Sequence, residues 1–153
     1  MLAGIVGDLS DRFGTPLFAP HLTLLGDTET TPAALERAIA AAANAIATFP
    51  EPVSVVEGSD AYFRSFYARF AVSPALTELK QALDPKGLAS FMPHVSLLYG
   101  EVEAEPKAAA IAEINARLAG RSIRFDRIGL VTSGQDVPIA DWRVVTSVAL
   151  RSA

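Results

Sequence analysis

The sequence predicts an α+β fold made by degenerate duplication, with two antiparallel sheets and helices covering their outer faces. Two observations predict it. A nine-residue segment occurs twice, as Phe18-Ala19-Pro20-His21-Leu22-Thr23-Leu24-Leu25-Gly26 and as Phe91-Met92-Pro93-His94-Val95-Ser96-Leu97-Leu98-Tyr99. Each copy is followed by a helical stretch and then by two extended stretches, so the chain reads as two versions of one supersecondary unit related by a pseudo-two-fold axis.

Composition sets the bounds. With 153 residues, 50% of them hydrophobic and 20% charged, the chain is expected to be one soluble globular domain over 1–153, with room for two tightly packed lobes. A formal charge of −4 argues against a long nucleic acid as partner, because tracking a phosphodiester backbone depends on neutralisation by Lys and Arg. A small anion is still allowed. Ten of the thirteen cations are Arg, which suits bidentate phosphate contacts better than Lys. The absence of cysteine excludes a disulfide frame, a thiolate zinc site and a cysteine nucleophile, and fits a cytoplasmic setting. Met1-Leu2-Ala3-Gly4 lacks the positive start of a signal peptide, and no apolar run has the length of a membrane span.

The elements follow in order. Leu2, Ile5, Val6, Leu9 and Phe13 fall at helical spacing, and Gly14 stands where a helix would end. Thr31-Pro32 reads as cap and first residue of an Ala-rich helix, with Leu35, Ile39 and Ile46 as its stripe and its end near Thr48. Val53, Val55 and Val56 predict a short strand, Gly58-Ser59-Asp60 a turn, and Ala61 to Val72 a long strand, together a hairpin. Ser73-Pro74 opens a helix with Leu76, Leu79 and Leu83 on one side, stopped by Asp84-Pro85-Lys86-Gly87. Pro106 opens another, with Ile111, Ile114 and Leu118 inward and Gly120 just past its end. Ile123 to Thr132 and Trp142 to Leu150 predict two closing strands.

Both motif copies read as strands after a proline, in which side chains alternate between faces. His21 and Thr23 then share one face, as do His94 and Ser96, while Leu22, Leu24, Val95 and Leu97 point the other way into a core. These are the only two histidines of the chain, and they occupy the same point of the repeat. A lone strand histidine is usually a surface or satisfied core residue; two in a repeated motif, each followed two residues on by a hydroxyl, form a constellation able to handle a phosphate. A metal site would need three or four ligands, and neither motif offers a Cys, Asp or Glu at a suitable offset, so no metal and no cofactor are expected. Tyr62, Phe63, Phe66, Tyr67 and Phe70 read as core aromatics. Alternation puts Arg64 and Arg69 on opposite faces, so that at most one faces a ligand.

The doubled motif resembles the pair of H-x-[TS] motifs of the 2H phosphoesterase superfamily. Within it, P-H-V-S-L-L-Y-G and F-x-P-H-x-T-L look most like the plant and yeast type of cyclic phosphodiesterase, over a stretch from about Phe13 to the last strand. The resemblance implies a bilobal fold whose two sheets face a central cleft, His21 and His94 as a catalytic acid–base pair with either order open, and Thr23 and Ser96 on the phosphate oxygens. It also matches Tyr99 to a position near the phosphate, although alternation sends Tyr99 to the face opposite His94, where it would simply pack. The implied substrate is a small cyclic phosphate nucleotide, a 2′,3′-cyclic nucleotide or ADP-ribose 1″,2″-cyclic phosphate. Members of this type place a strand before the first helix, and the chain starts at that helix, so near Trp142 to Leu150 either an unpaired sheet edge or pairing with another chain is expected. The rival readings are a 2′-5′ RNA ligase-like enzyme of RNA ends, disfavoured by the acidic charge and short chain, and a non-catalytic phosphonucleotide-binding module, disfavoured by the intact histidine and hydroxyl pairs.

Overall fold

A computed structural model describes residues 1–152. Among them run α1 (Leu2–Phe13), α2 (Pro32–Ala45), β1 (Phe49–Gly58), β2 (Phe66–Phe70), α3 (Pro74–Leu83), β3 (His94–Leu98), α4 (Ala104–Leu118), β4 (Ser122–Phe125), β5 (Arg127–Thr132) and β6 (Arg143–Ala149). Four strands form a sheet in the order β3-β2-β1-β4, and β5 and β6 form a second sheet of two. The pairs β1–β2, β2–β3 and β5–β6 are antiparallel, which is the α+β class predicted. The chain divides into two units, one made of Met1–Thr23, Pro52–Ala71 and Met92–Ser122, the other of Leu24–Glu51, Val72–Phe91 and the chain from Ile123 on.

The first unit carries both histidines. Its α1 buries Ile5, Val6 and Leu9 and packs on β3, and it stops at Gly14, whose left-handed backbone (φ 64°) a side chain would strain. Phe66, Ala68 and Phe70 of β2 are buried beside Val95, Leu97 and Leu98 of β3. On α4 the stripe is Ala110, Ile114 and Leu118, and Asn115 Oδ1 accepts from the Val56 N–H at 2.8 Å, occupying a β1 donor with a helix side chain.

In the second unit Ile39, Ala42, Ala43 and Ile46 of the α2 face pack with Leu79, Ile128 and Leu150. Thr31 caps α2 and Ser73 caps α3, each followed by the proline that the sequence placed at the first helical position. Lys80, only 8% exposed, donates to Leu24 O and to Asp84 Oδ2, both at 2.7 Å, and lies 5.1 Å from the Phe91 ring centre. One buried ammonium thus grips the residue after the first His-x-Thr and the residue that opens the second motif copy. Its hydrogen bond holds the Asp84 carboxyl below the usual carboxylate range.

Three sequence expectations are corrected. The first motif is not a strand: residues 18–26 make one isolated antiparallel bridge, Leu22 to Val95. Both copies have a proline and a carbonyl taken by an imidazole; what the first lacks is a ladder partner, which the second has in β2. The long strand from Ala61 is in fact a 3₁₀ turn, Tyr62–Arg64, followed by β2. Ser59 dictates it, accepting from Ala61 N and donating to Arg64 O. The stretch Ile123 to Thr132 breaks at Asp126 into β4 and β5, which belong to different sheets. At the other end of the chain, β6 has β5 as its one strand neighbour among the described residues, with Val144 and Val145 exposed.

Leu97 is fully buried in the first unit, so we expect Leu97→Ala to cost ~2–5 kcal/mol, the usual sum of transfer and cavity terms. Thr31→Ala, which removes only a cap, should cost about 1 kcal/mol. Urea unfolding at unchanged slope reads both. A smaller loss for Leu97→Ala than for Thr31→Ala would contradict this packing.

Candidate functional site

The site begins with the Leu22–Val95 bridge, whose antiparallel sense sets His21 beside Ser96 and Thr23 beside His94. Neighbours across an antiparallel pair point to the same face, so these four side chains share one face and Leu22 and Val95 the other. On the far side of β3 the ladder pairs Tyr67 with Ser96 and Arg69 with His94, which adds both β2 side chains to that face.

The two imidazoles are fixed in the same way. His21 Nδ1 bonds the Ala19 carbonyl at 2.7 Å, and His94 Nδ1 bonds the Met92 carbonyl at 2.9 Å, each two residues back along the chain. A carbonyl only accepts, so Nδ1 carries the hydrogen in both rings and Nε2 is the atom that takes or gives a proton. Each ring also has an aromatic edge-on to it, Phe18 for His21 at 6.5 Å and Tyr67 for His94 at 5.3 Å between centres.

Their surroundings differ. His21 is exposed and His94 half-buried. Burial pushes the His94 pKa below its usual value, and the charges of Arg64 and His21 push it the same way against the opposing Met92 bond, which favours the neutral form of His94. Tyr67 is held in turn by Glu57, whose carboxylate accepts from the phenol at 3.2 Å and from Arg69 at 3.3 Å.

The nominated hydroxyls fall in different settings. Thr23 is exposed on the shared face. Ser96 is only 5% exposed and gives its proton to Phe63 O at 3.2 Å, so it fastens the 3₁₀ turn onto β3. Tyr99, 4% exposed, is stacked on Phe18 with ring centres 3.9 Å apart, and its hydroxyl is hydrogen-bonded to Ser96. Alternation had sent Tyr99 to the other face, but β3 ends at Leu98 and the chain turns through Gly100 (φ 133°), where a Cβ would also lie 3.1 Å from Thr15 Cγ2. Arg64 is the residue that sequence reasoning left undecided: alternation fails in a 3₁₀ turn, and its guanidinium lies 5.9 Å from the Tyr67 ring centre. Among the described residues no group of three His, Cys, Asp or Glu stands close enough to hold a metal ion, and no helix is long and apolar enough to cross a membrane.

Comparison with known proteins bears on the family and the fold. The family described as the 2′-5′ RNA ligase superfamily matches residues 10–137. A cyclic phosphodiesterase of Arabidopsis thaliana is 25% identical over 145 residues, which cover 90% of this chain and 80% of that protein. Among solved structures, E. coli LigT complexed with 3′-AMP is similar with a TM-score of 0.61 at 17% identity, covering 99% of this chain and 92% of that one. E. coli LigT complexed with phosphate gives 0.57 at 17% identity, covering 99% and 91%. These two structures share the fold.

Two outcomes follow for the imidazoles. In ¹⁵N spectra both neutral rings should be Nδ1–H tautomers, and an Nε2–H tautomer at either position would remove the anchoring described. Because folded His94 titrates below 6.5, the unfolded chain binds a proton there that the folded chain refuses, and stability rises with pH through the window just below 6.5. Urea unfolding on either side of that window should show the rise in the wild type and a flatter profile in His94→Gln.

Proposed function

Because the chain belongs to the 2′-5′ RNA ligase superfamily, we propose that it is a metal-independent phosphodiesterase that opens a cyclic phosphate on ribose, with a 2′,3′-cyclic nucleotide or ADP-ribose 1″,2″-cyclic phosphate as substrate. One observation carries the reading: two imidazoles with the same Nδ1 anchor flank a single antiparallel bridge between the motif copies. The similarity to a protein named cyclic phosphodiesterase supports the substrate class.

The roles follow from the surroundings. His94, kept neutral by burial, takes the proton of a water through Nε2 as that water's oxygen bonds to phosphorus. His21 gives a proton from Nε2 to the ribose oxygen as its bond to phosphorus breaks, leaving a phosphomonoester on the neighbouring oxygen. The next turnover needs that proton moved back from His94 to His21 through solvent. Thr23 donates to a non-bridging oxygen as charge builds there. Both proton transfers belong to side chains, so the chemistry has no step that calls for a metal.

Turnover of a 2′,3′-cyclic nucleotide tests the reading. We expect His21→Ala and His94→Ala each to lower it by roughly 10² to 10⁴-fold, the usual worth of one positioned proton-transfer group. The acid limb of the wild-type pH profile should belong to His94 and fall below 6.5, and a chelator should leave the rate unchanged. Unaltered rates in both variants, or abolition by the chelator, would sink the two-histidine mechanism. RNA oligomers with 2′-5′ linkages are the competing substrate, and preferential turnover of them would move the assignment to RNA ends.

A further inference from the structure

Resting on that reading, we infer that Arg64 is the cation that grips the phosphate in the two-histidine site, a duty for which the motifs themselves nominate only hydroxyls. The inference starts from Ser96. Its proton goes to Phe63 O, one residue before Arg64, so the second motif's hydroxyl serves to seat the 3₁₀ turn and the turn delivers a guanidinium.

The seat is rigid on both sides of Arg64. Gly100 N donates to Tyr62 O at 3.0 Å, Phe63 packs edge-on to Tyr99 at 5.4 Å, and the Arg64 carbonyl accepts from Ser59 Oγ at 2.6 Å. From that seat the guanidinium lies over Tyr67, the ring that lies edge-on to His94. The titratable and charged groups around His94 are therefore Arg64, His21, the Tyr67 phenol and Arg69 with its partner Glu57, and of the two arginines only Arg69 is paired with a carboxylate among the described residues.

The two arginines near this face are treated differently. Arg69, paired with His94 in the ladder, is turned onto the Glu57 carboxylate at 3.3 Å, which neutralises it. Arg64 has no carboxylate within ion-pair distance among the described residues. An uncompensated guanidinium near His94 disfavours the protonated imidazole in the empty site and becomes favourable when an anion sits beside it. The transition state for opening a cyclic phosphodiester concentrates negative charge on two non-bridging oxygens, and the planar fork of Arg matches two such oxygens at once. Thr23 supplies one neutral donor, whereas Arg64 supplies charge and two.

The test compares Arg64→Ala, Arg64→Lys, His94→Ala and a distant cation control, Arg117→Ala. Inorganic phosphate is titrated into each by calorimetry, and turnover of a 2′,3′-cyclic nucleotide is measured in parallel. Arg64→Ala should weaken phosphate binding roughly 10- to 100-fold, in line with a lost hydrogen-bonded charge, and lower turnover by about 10² to 10³-fold. Arg64→Lys should recover binding in part and turnover less, because it restores the charge without the fork. The His94 imidazole should also titrate higher in Arg64→Ala and stay put in Arg117→Ala, a change that mere unseating of the turn would not give in Arg64→Lys. Phosphate affinity in Arg64→Ala equal to wild type, or no phosphate binding by the wild type at all, overturns the inference. Retained turnover in His94→Ala would instead strike the two-histidine reading, and the phosphate titration would still decide Arg64.

Discussion

A single antiparallel bridge, Leu22 to Val95, is the constraint from which the site follows. It joins segments far apart in sequence and costs the chain the closure of a long loop, an entropy that grows only slowly with length. Once made, it leaves little freedom. Antiparallel pairing sends Leu22 and Val95 to one face and places His21, Thr23, His94 and Ser96 on the other. The bond from each imidazole to the carbonyl two residues back then fixes which nitrogen is chemically active. Within the second unit, Lys80 holds Leu24 and the Asp84 loop together.

What was legible in the sequence was local. Thr31-Pro32 and Ser73-Pro74 announce helix starts because a hydroxyl side chain and a preset φ act on their own next few residues. Gly14 and Gly120 mark helix ends for the same reason, both having positive φ. The hairpin of β1 and β2 was readable from its valines and aromatics. What was not legible depends on partners elsewhere in the chain. Nothing local separates Arg124 from Arg127, yet β4 joins the sheet of β1 and β5 pairs with β6. The first motif has the composition of a strand and lacks only a ladder partner beyond its one bridge. Tyr62 and Phe63 have strand-like identities, but Ser59 bends the backbone around them before a strand can form.

The site shows the same division. Both histidines could be picked out because they repeat, and the repeat is a property of the sequence alone. The setting of Ser96 could not, because its burial and its bond to Phe63 depend on a turn that reads as strand. For Tyr99 alternation holds only while the strand lasts, and the strand ends at Leu98. Tyr99 reaches Ser96 because the strand stops one residue earlier. Arg64 was lost for a related reason: a period of two was applied to a stretch with a period near three.

The duplication makes two motifs alike, but acid–base chemistry needs them unlike. Two equivalent imidazoles would share one titration, and the fraction of molecules with one ring neutral and the other protonated would be limited by that equality. Packing breaks the symmetry. The second motif lies in a ladder against β2, which brings Tyr67 against His94, and the 3₁₀ turn before β2 adds the charge of Arg64; the first motif has a single bridge and leaves His21 exposed. Burial and positive charge both favour the neutral form of His94, so in the proposed mechanism the base would be set by the second motif's neighbours and not by its own residues. The Arg64 charge that lowers the His94 pKa also favours an anion beside it. In the proposed mechanism a bound phosphate would partly cancel the positive charge that lowers the His94 pKa, and so raise its basicity when a water is to lose a proton.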